Sequence, residues 1–208
     1  KTLLQCNIGL ILVSSHPYSG GKNTLHAMLA ECNAEAENVA SLEDPIEYDF
    51  PGVSQTQILQ DKGMDYASCL NALLNQDVDI LFVDDIPDQA TARMILAAAR
   101  SCLVVAGLPI EHSEQAIEEL QLRGIEDWRI ARSVVGIVNQ QLLRSVCPTC
   151  RAVYRPRPEE LDQFGVSTLS MSNTVVYTAK KTTQAEQLTK TNICSNCGGT
   201  GYQNQIAV

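Results

Sequence analysis

The chain has 208 residues, of which 45% are hydrophobic and 19% are charged, as in an ordinary globular protein. Its net charge of −9 argues against sequence-independent nucleic-acid binding, which needs a positive field. No apolar run approaches the roughly 20 residues that span a bilayer, and we find no secretory signal. We therefore expect a cytoplasmic protein that does not bind nucleic acid.

The first apolar run predicts a buried parallel strand over Gly9–Ser15. Apolar periodicity then predicts a helix that begins after Lys22 and ends near Cys32. The loop between them contains two glycines, Gly20 and Gly21. A strand, a glycine loop, a lysine and a helix N-terminus together form the frame of a phosphate-binding loop.

The phosphate-loop pattern G-x-x-x-x-G-K-[ST] is incomplete in this chain. When the pattern is aligned on Lys22, His16 replaces the first glycine and Asn23 replaces the Ser or Thr that binds Mg²⁺. Thr24 could supply that hydroxyl only if the loop relaxes. The alternative is a solvated helix N-terminus that carries a lysine by chance.

Two further predicted strands end in carboxylates. The strand Asn38–Leu42 is followed by Glu43, and the strand Asp79–Asp85 ends in Asp84 and Asp85. Ligands of open parallel sheets bind at the carboxyl ends of the strands, so we expect these acids near a nucleotide and its Mg²⁺. The alternatives are an N-capped turn at Glu43, and strand-end solvation with helix capping at the two aspartates.

The remaining elements alternate between helix and strand. We predict helices at about Met64–Gln76, Pro87–Arg100, Ser113–Arg123 and Asp127–Arg144, and a strand over Cys102–Leu108. This alternation predicts a three-layer α/β core with a largely parallel sheet. Because the composition changes after Val146, we expect the core to cover 1–146 and a small module to cover 147–208. In the module we expect a short helix near 159–164, a strand at Val175–Tyr177 and helical character over 180–191.

Four of the eight cysteines form two C-x-x-C pairs, namely Cys147 with Cys150 and Cys194 with Cys197. Two such pairs can place four thiolates around one Zn²⁺ in a closed, structural site. In a cytosolic chain this spacing favours metal over disulfides. The alternatives are four reduced thiols or a disulfide within each pair.

In this order the motifs resemble the C-terminal ATPase domain of the type II secretion and type IV pilus assembly ATPases. The segments that carry the resemblance are Gly9–Ser15 before the Walker A loop, Val39–Tyr48 as the Asp box, Leu74–Ala92 as the Walker B strand with the following helix, Gln140–Arg144, and the tetracysteine segments Cys147–Cys150 and Cys194–Tyr202. The resemblance implies a RecA-like P-loop NTPase fold, ATP with Mg²⁺ and structural zinc. It also implies a homo- or hetero-hexameric ring, docked from the cytoplasm on an inner-membrane platform protein.

The resemblance assigns roles residue by residue. Glu43 corresponds to the family's water-activating carboxylate, and Asp85 keeps the charge of its Walker B glutamate, so both are catalytic candidates. The nucleotide-binding candidates are Gly20, Gly21, Lys22, Asn23, Thr24 and Asp84. A gapless alignment would instead put Gly21 at the lysine position and Lys22 at the Ser/Thr position; we prefer the one-residue shift that keeps Lys22 in register.

Several functional positions of the family are replaced in this chain. Asp84 stands where the family has glycine, and the family's two phosphate-sensing arginines align with Ser68 or Asn71 and with Asn75. The two histidines of its His box align with Cys102 and Pro109, and His112 lies one turn later. We therefore expect hydrolysis to be weak or absent. The alternatives are an active ATPase with a rewired site, a non-enzymatic ring adaptor and a zinc-dependent regulator.

Overall fold

The computed structural model divides the chain into two compact units, Lys1–Gln141 and Leu142–Val208. It describes residues 3–32, 34–157, 160, 176–180 and 193–208. Apart from Glu160 and Lys180, the helical segments expected near 159–164 and 180–191 lie outside these residues. Residues 142–146, which we expected to belong to the core, are grouped with the second unit.

The first unit is built on a six-stranded sheet. Its strands are β1 (Gly9–Ser15), β2 (Val39–Glu43), β3 (Ser54–Gln57), β4 (Ile80–Val83), β5 (Leu103–Leu108) and β6 (Val134–Gln140). The spatial order is β3-β2-β4-β5-β1-β6, and each neighbouring pair is parallel. The carboxyl ends of all six strands therefore meet at one edge of the sheet.

Helices cover both faces of this sheet. They are α1 (Gly21–Ala30), α2 (Tyr66–Leu73), α3 (Gln89–Ala98), α4 (Gln115–Leu122) and α5 (Asp127–Ser133). Because side chains alternate along a strand, Leu10 and Leu12 enter the core cluster that contains residues of α2 to α5, whereas Ile11 and Val13 enter the cluster that contains residues of α1. The predicted three-layer α/β core is confirmed. None of the described helices is long and apolar enough to cross a bilayer.

One long predicted helix is wrong beyond Ser133. The segment predicted as helical over Asp127–Arg144 contains α5, β6 and the start of β7 (Leu142–Val146). The run Val134–Val138 contains three valines, one isoleucine and one glycine, and β-branched residues favour strands over helices. β6 extends the sheet beside β1, with Leu10 opposite Val134 and Ser15 opposite Gln140.

The described residues of the second unit form two small antiparallel pairs. β7 pairs with β10 (Tyr202–Ala207), and β8 (Ala152–Tyr154) pairs with β9 (Val176–Thr178). The strand expected at Val175–Tyr177 is present as β9, whereas Val175 lies outside the described residues. These pairs place the two C-x-x-C segments next to strand ends.

Candidate functional site

A cleft of about 610 Å³ lies at the carboxyl edge of the sheet. This volume is within the range of small-molecule sites. Six of the predicted site residues line it, namely Gly20, Gly21, Lys22, Asn23, Asp84 and Asp85. Two predicted residues, Thr24 and Glu43, are not part of its lining.

The loop after β1 enters helix α1 through its glycines. Gly20 is the N-cap of α1 in a left-handed conformation, with φ of 87°, and it makes no side-chain cap hydrogen bond. Gly21 packs closely on β1, since a Cβ at this position would lie 1.9 Å from Oγ of Ser15. The uncapped first turn of α1, which contains Lys22 and Asn23, therefore directs backbone N–H groups outward, as an anion site requires.

The ammonium of Lys22 already has partners on neighbouring strand ends. Its Nζ lies 3.0 Å from Oδ2 of Asp84 and 3.7 Å from Oε1 of Glu47, and it donates a 2.8 Å hydrogen bond to the carbonyl of Asp44. Asp84 follows β4, whereas Asp44 and Glu47 follow β2. The candidate phosphate lysine is thus held by protein oxygens.

The carboxylate of Asp84 is almost completely buried and fully engaged. Its side chain is 6% exposed. Oδ2 accepts a 2.7 Å hydrogen bond from the backbone N–H of Asp44 in addition to the contact with Lys22, and Oδ1 accepts a 2.7 Å hydrogen bond from the hydroxyl of Tyr66. Burial and this bond raise the pKa of Tyr66, so the phenol stays a donor.

Asp85 also lines the cleft, and its carboxylate has fewer hydrogen-bond partners than that of Asp84. Its Oδ1 accepts a 2.7 Å hydrogen bond from the N–H of Ile86. Burial raises its pKa, and the charge of Asp84 adds to the rise, whereas the N–H of Ile86, Arg123 and Lys22 act against it. A half-buried carboxyl with a raised pKa beside a cleft suits proton transfer.

Gln140, at the end of β6, ties the end of the loop and the first turn of α1 to the sheet. The hydroxyl of Thr24 donates a 2.8 Å hydrogen bond to Oε1 of Gln140, and Nε2 of Gln140 donates a 2.6 Å bond to the carbonyl of Ser19. The hydroxyl of Thr24, a candidate ligand of Mg²⁺, therefore forms a hydrogen bond within the protein instead. Sequence reasoning placed Gln140 in a helix and gave it no role.

Glu43 is buried beneath the cleft in a polar cluster. It is 3% exposed, and its carboxylate contacts the hydroxyl of Ser41 at 2.6 Å, Nε2 of Gln55 at 2.9 Å and Nε2 of His26 at 3.0 Å. Burial raises its pKa, but the hydrogen bonds from Ser41, Gln55 and His26 outweigh burial and lower the pKa overall. Glu43 is thus ionised and engaged by three donors. The cavity beside it measures only about 10 Å³.

The positions that replace the family's histidines lie apart. Cys102 precedes β5 and is buried at the amino edge of the sheet, where its thiol contacts the carbonyl of Ala98 at 3.4 Å. Pro109 lines the cleft at the opposite edge. His112 is exposed and does not line the cleft.

The four paired cysteines of the second unit come together. The sulfurs of Cys147, Cys150, Cys194 and Cys197 all lie within 4.8 Å of one another, and none is in a disulfide. Burial raises the pKa of the Cys147 thiol, but hydrogen bonds from the N–H groups of Cys150 and Thr149 lower it to about 6. This cluster could hold a metal ion.

The comparisons with known proteins agree with this arrangement. The family described as type II/IV secretion system protein matches residues 1–208. The type IV pilus assembly ATPase PilB of Thermus thermophilus is 33% identical over 100% of this chain and 22% of its own length. The putative type II secretion system protein E of Escherichia coli K12 is 31% identical over 100% of this chain and 40% of its own length. The chain thus spans two fifths or less of these relatives.

Solved structures share the fold of a large part of the chain. The pilus retraction motor PilT with bound ADP has a TM-score of 0.60 and 25% identity, over 70% of this chain and 46% of that chain. The VirB11 ATPase of the Brucella suis type IV secretion system has a TM-score of 0.54 and 15% identity, over 64% of this chain and 43% of that chain, and shows the fold alone. The family model that matches the whole sequence and the relatives that are more than 30% identical show that the chain belongs to the type II/IV secretion system protein family.

Proposed function

We propose that this chain is the ATPase-type part of a secretion or pilus assembly subunit in which ATP hydrolysis is weak or absent. The observation that carries the proposal is the contact between Lys22 and Asp84. A phosphate-loop lysine must be free to meet the β- and γ-phosphates. Here it is paired with a buried carboxylate that Tyr66 and Asp44 also hold.

The charge of the cleft supports the same conclusion. Lys22 is the only lysine or arginine among the described residues that line it, and it faces four carboxylates, those of Asp44, Glu47, Asp84 and Asp85. ATP brings further negative charge into this field. The uncapped first turn of α1 fits a phosphate group, but Asp84 and the hydroxyl of Thr24 are committed to protein partners. Mg²⁺ would supply the missing positive charge when bound, and Asp85 would hold it, because Asp84 is already engaged by Lys22 and Tyr66.

The second candidate function is an active ATPase with a rewired site. Asp85 favours it, since this carboxylate lines the cleft and has a raised pKa. In that case Asp85 would take the proton of the attacking water, in place of the buried Glu43. Lys22 would first have to leave Asp84 and turn toward the phosphate.

Nucleotide binding and turnover separate the two functions. We would measure phosphate release and Mg-ATP binding for the wild type, Lys22→Ala and Lys62→Ala, in a preparation whose hexameric mass has been verified. Lys62→Ala removes one exposed positive charge from the first unit outside the cleft. We expect background turnover that Lys22→Ala does not change. Turnover that Lys22→Ala abolishes and Lys62→Ala preserves would establish the active ATPase and overturn the proposal.

A degenerate subunit still has a role if it joins a ring. We propose that the full-length protein is cytoplasmic, assembles as a homo- or hetero-hexamer with an active paralogue, and docks on an inner-membrane platform protein. The family membership supports this assignment. Native mass measurement of mixed rings tests it, and a chain that never enters such rings would overturn it.

We also propose that the cysteine cluster binds structural Zn²⁺. A tetrahedral ion with Zn–S bonds of about 2.3 Å requires sulfurs about 3.8 Å apart. The sulfurs of Cys147 and Cys194 are 4.0 Å apart, and those of Cys150 and Cys197 are 3.6 Å apart. The N–H of Gly201 lies 3.4 Å from the sulfur of Cys197 and would support a thiolate there. With four protein ligands, the site leaves no open position for catalysis.

A further inference from the structure

A small pocket with an unusual charge lies between α3 and α5, away from the cleft. It measures about 50 Å³, and its lining includes Leu96, Ala97, Arg100, Trp128, Arg129 and Arg132. We call it the arginine–tryptophan pocket. Three of the 15 basic residues of a chain with net charge −9 surround this one depression.

The backbone of the pocket is held in place by the core. Ile130 of α5 is 3% exposed and packs in the same core cluster as Leu96 of α3. The hydroxyl of Ser133 donates a 3.4 Å hydrogen bond to the carbonyl of Leu96. The pocket is thus built on two packed helices and on the turn after α3 that carries Arg100, which gives it a defined shape.

Its aromatic wall is an exposed tryptophan. Trp128, the single tryptophan of the chain, is 60% exposed. The guanidinium of Arg129 lies 5.0 Å from the centre of its ring, and Nε of Arg129 contacts Glu126 at 2.9 Å. The ring, the guanidinium and the carboxylate thus lie together on one side of the pocket.

Its other two cations have no acidic partner. Arg100 and Arg132 are exposed, and neither forms an ion pair within the described part of the chain. Exposed tryptophan and arginine are the residue types that contribute most to binding at protein interfaces. Arginine forks bind carboxylates in a planar, bidentate way that lysine cannot reproduce.

We propose that this pocket docks an acidic segment of a partner protein, whose carboxylates pair with Arg100 and Arg132 and whose apolar side chain covers Trp128. The charge of the pocket is complementary to such a segment and opposite to that of the whole chain. A membrane surface fits less well, because the net charge of −9 would repel anionic lipid around so small a basic area.

The single tryptophan supplies the experiment. We would titrate the full chain with a short peptide of glutamate and leucine, and follow the fluorescence of Trp128. We expect a saturable change that weakens as salt is added, and about tenfold weaker binding in each of Arg100→Ala and Arg132→Ala. Arg132→Lys should recover only part of the affinity, and Lys62→Ala should bind like the wild type.

Three outcomes would overturn the proposal. The first is no response to the glutamate peptide, and the second is an equal response to a peptide in which lysine replaces glutamate. The third is a response to phosphatidylglycerol vesicles that is stronger than the response to the peptide, which would make the pocket a lipid contact. Trp128→Phe removes the fluorescent reporter, so its binding would be followed by the anisotropy of a labelled peptide. We expect weaker binding by this variant and a circular dichroism spectrum like that of the wild type.

Discussion

Lys22 and Asp84 are 62 positions apart in the chain, yet Nζ of one lies 3.0 Å from Oδ2 of the other. The parallel sheet makes this contact, because the strands β1 and β4 end at the same edge with β5 between them. Gly107 of β5 permits it, since a Cβ there would lie 2.1 Å from the carbonyl oxygen of Asp84. The candidate phosphate lysine and the aspartate that stands at the family's glycine position thus neutralise each other.

Asp84→Asn should release Lys22 and raise the affinity for Mg-ATP several-fold. The change also removes one partner of a buried network, so we expect a loss of about 1–2 kcal/mol in the free energy of unfolding. Calorimetric titration and urea denaturation measure the two effects. Glu47→Gln is the matched control, since Glu47 is more exposed and lies 3.7 Å from Nζ. If Asp84 instead holds Mg²⁺, its replacement will lower the affinity.

Tyr66→Phe should destabilise the first unit by about 1–3 kcal/mol, because it leaves Oδ1 of the buried Asp84 without its donor. Tyr66 is 7% exposed, so water cannot easily take the place of the hydroxyl. Tyr48→Phe removes the same atom from a side chain that is 53% exposed and should change stability little. Equal losses of stability in the two variants would show that the hydrogen bond to Asp84 does not stabilise the protein.

Asp85→Asn should stabilise the protein at neutral pH. Burial raises the pKa of Asp85 in the folded chain above the value of 3.8 expected when unfolded. As pH rises through 3.8 the unfolded chain loses this proton first, so the folded state is progressively disfavoured until the raised pKa is passed. Urea denaturation over a pH series should show the gain of the variant above this window and none well below 3.8. A gain that is independent of pH would contradict this cause, and Asp61→Asn at an exposed site serves as the control.

Removal of zinc should unfold the second unit while the first unit stays folded. The small antiparallel pairs contain few buried apolar residues, so a bound metal ion would be the main interaction that stabilises this unit. We expect elemental analysis to find one Zn²⁺ per chain. In Cys197→Ser we expect the ion to be lost and the second unit to become disordered. Cys32→Ser should keep the ion and a folded second unit, because its thiol only donates to the carbonyl of Met28. A metal-free chain whose second unit resists proteolysis would contradict the proposal.

Gly21→Ala should cost about 1–3 kcal/mol through a clash with β1. The new Cβ would lie 1.9 Å from Oγ of Ser15, so adding Ser15→Gly should recover most of the loss. Thermal denaturation of the two single variants and the double variant forms a cycle that isolates the contact. No recovery in the double variant would mean that Gly21 is needed for another reason.

The sequence predicted the elements with a strong apolar pattern and missed those without one. The strand Gly9–Ser15 has the predicted bounds, because six of its seven residues are buried. β3 was not predicted, since Ser54–Gln57 is a polar strand at the sheet edge and carries no hydrophobic signal. The helix predicted over Asp127–Arg144 is wrong beyond Ser133, because the β-branched run Val134–Val138 forms a strand instead.

The members of the candidate site could be found from the sequence, but their pairing could not. Glycines, Lys22 and the strand-end aspartates have a recognisable order, and the structure brings them to one cleft. The bond from Tyr66 to Asp84 joins a helix to a strand end, and no local pattern predicts it. Burial of Glu43 against His26 likewise depends on how α1 packs on β2.

The clamp that Gln140 forms with Thr24 and Ser19 has a consequence for the motion of the loop. A loop already fastened to an edge strand has little disorder left to lose when a ligand arrives. The backbone order of the loop should therefore already be high without ligand and rise little when nucleotide is added, as NMR order parameters would show. Gln140→Ala would turn this rigid loop into one that a ligand must first order, at a cost in affinity.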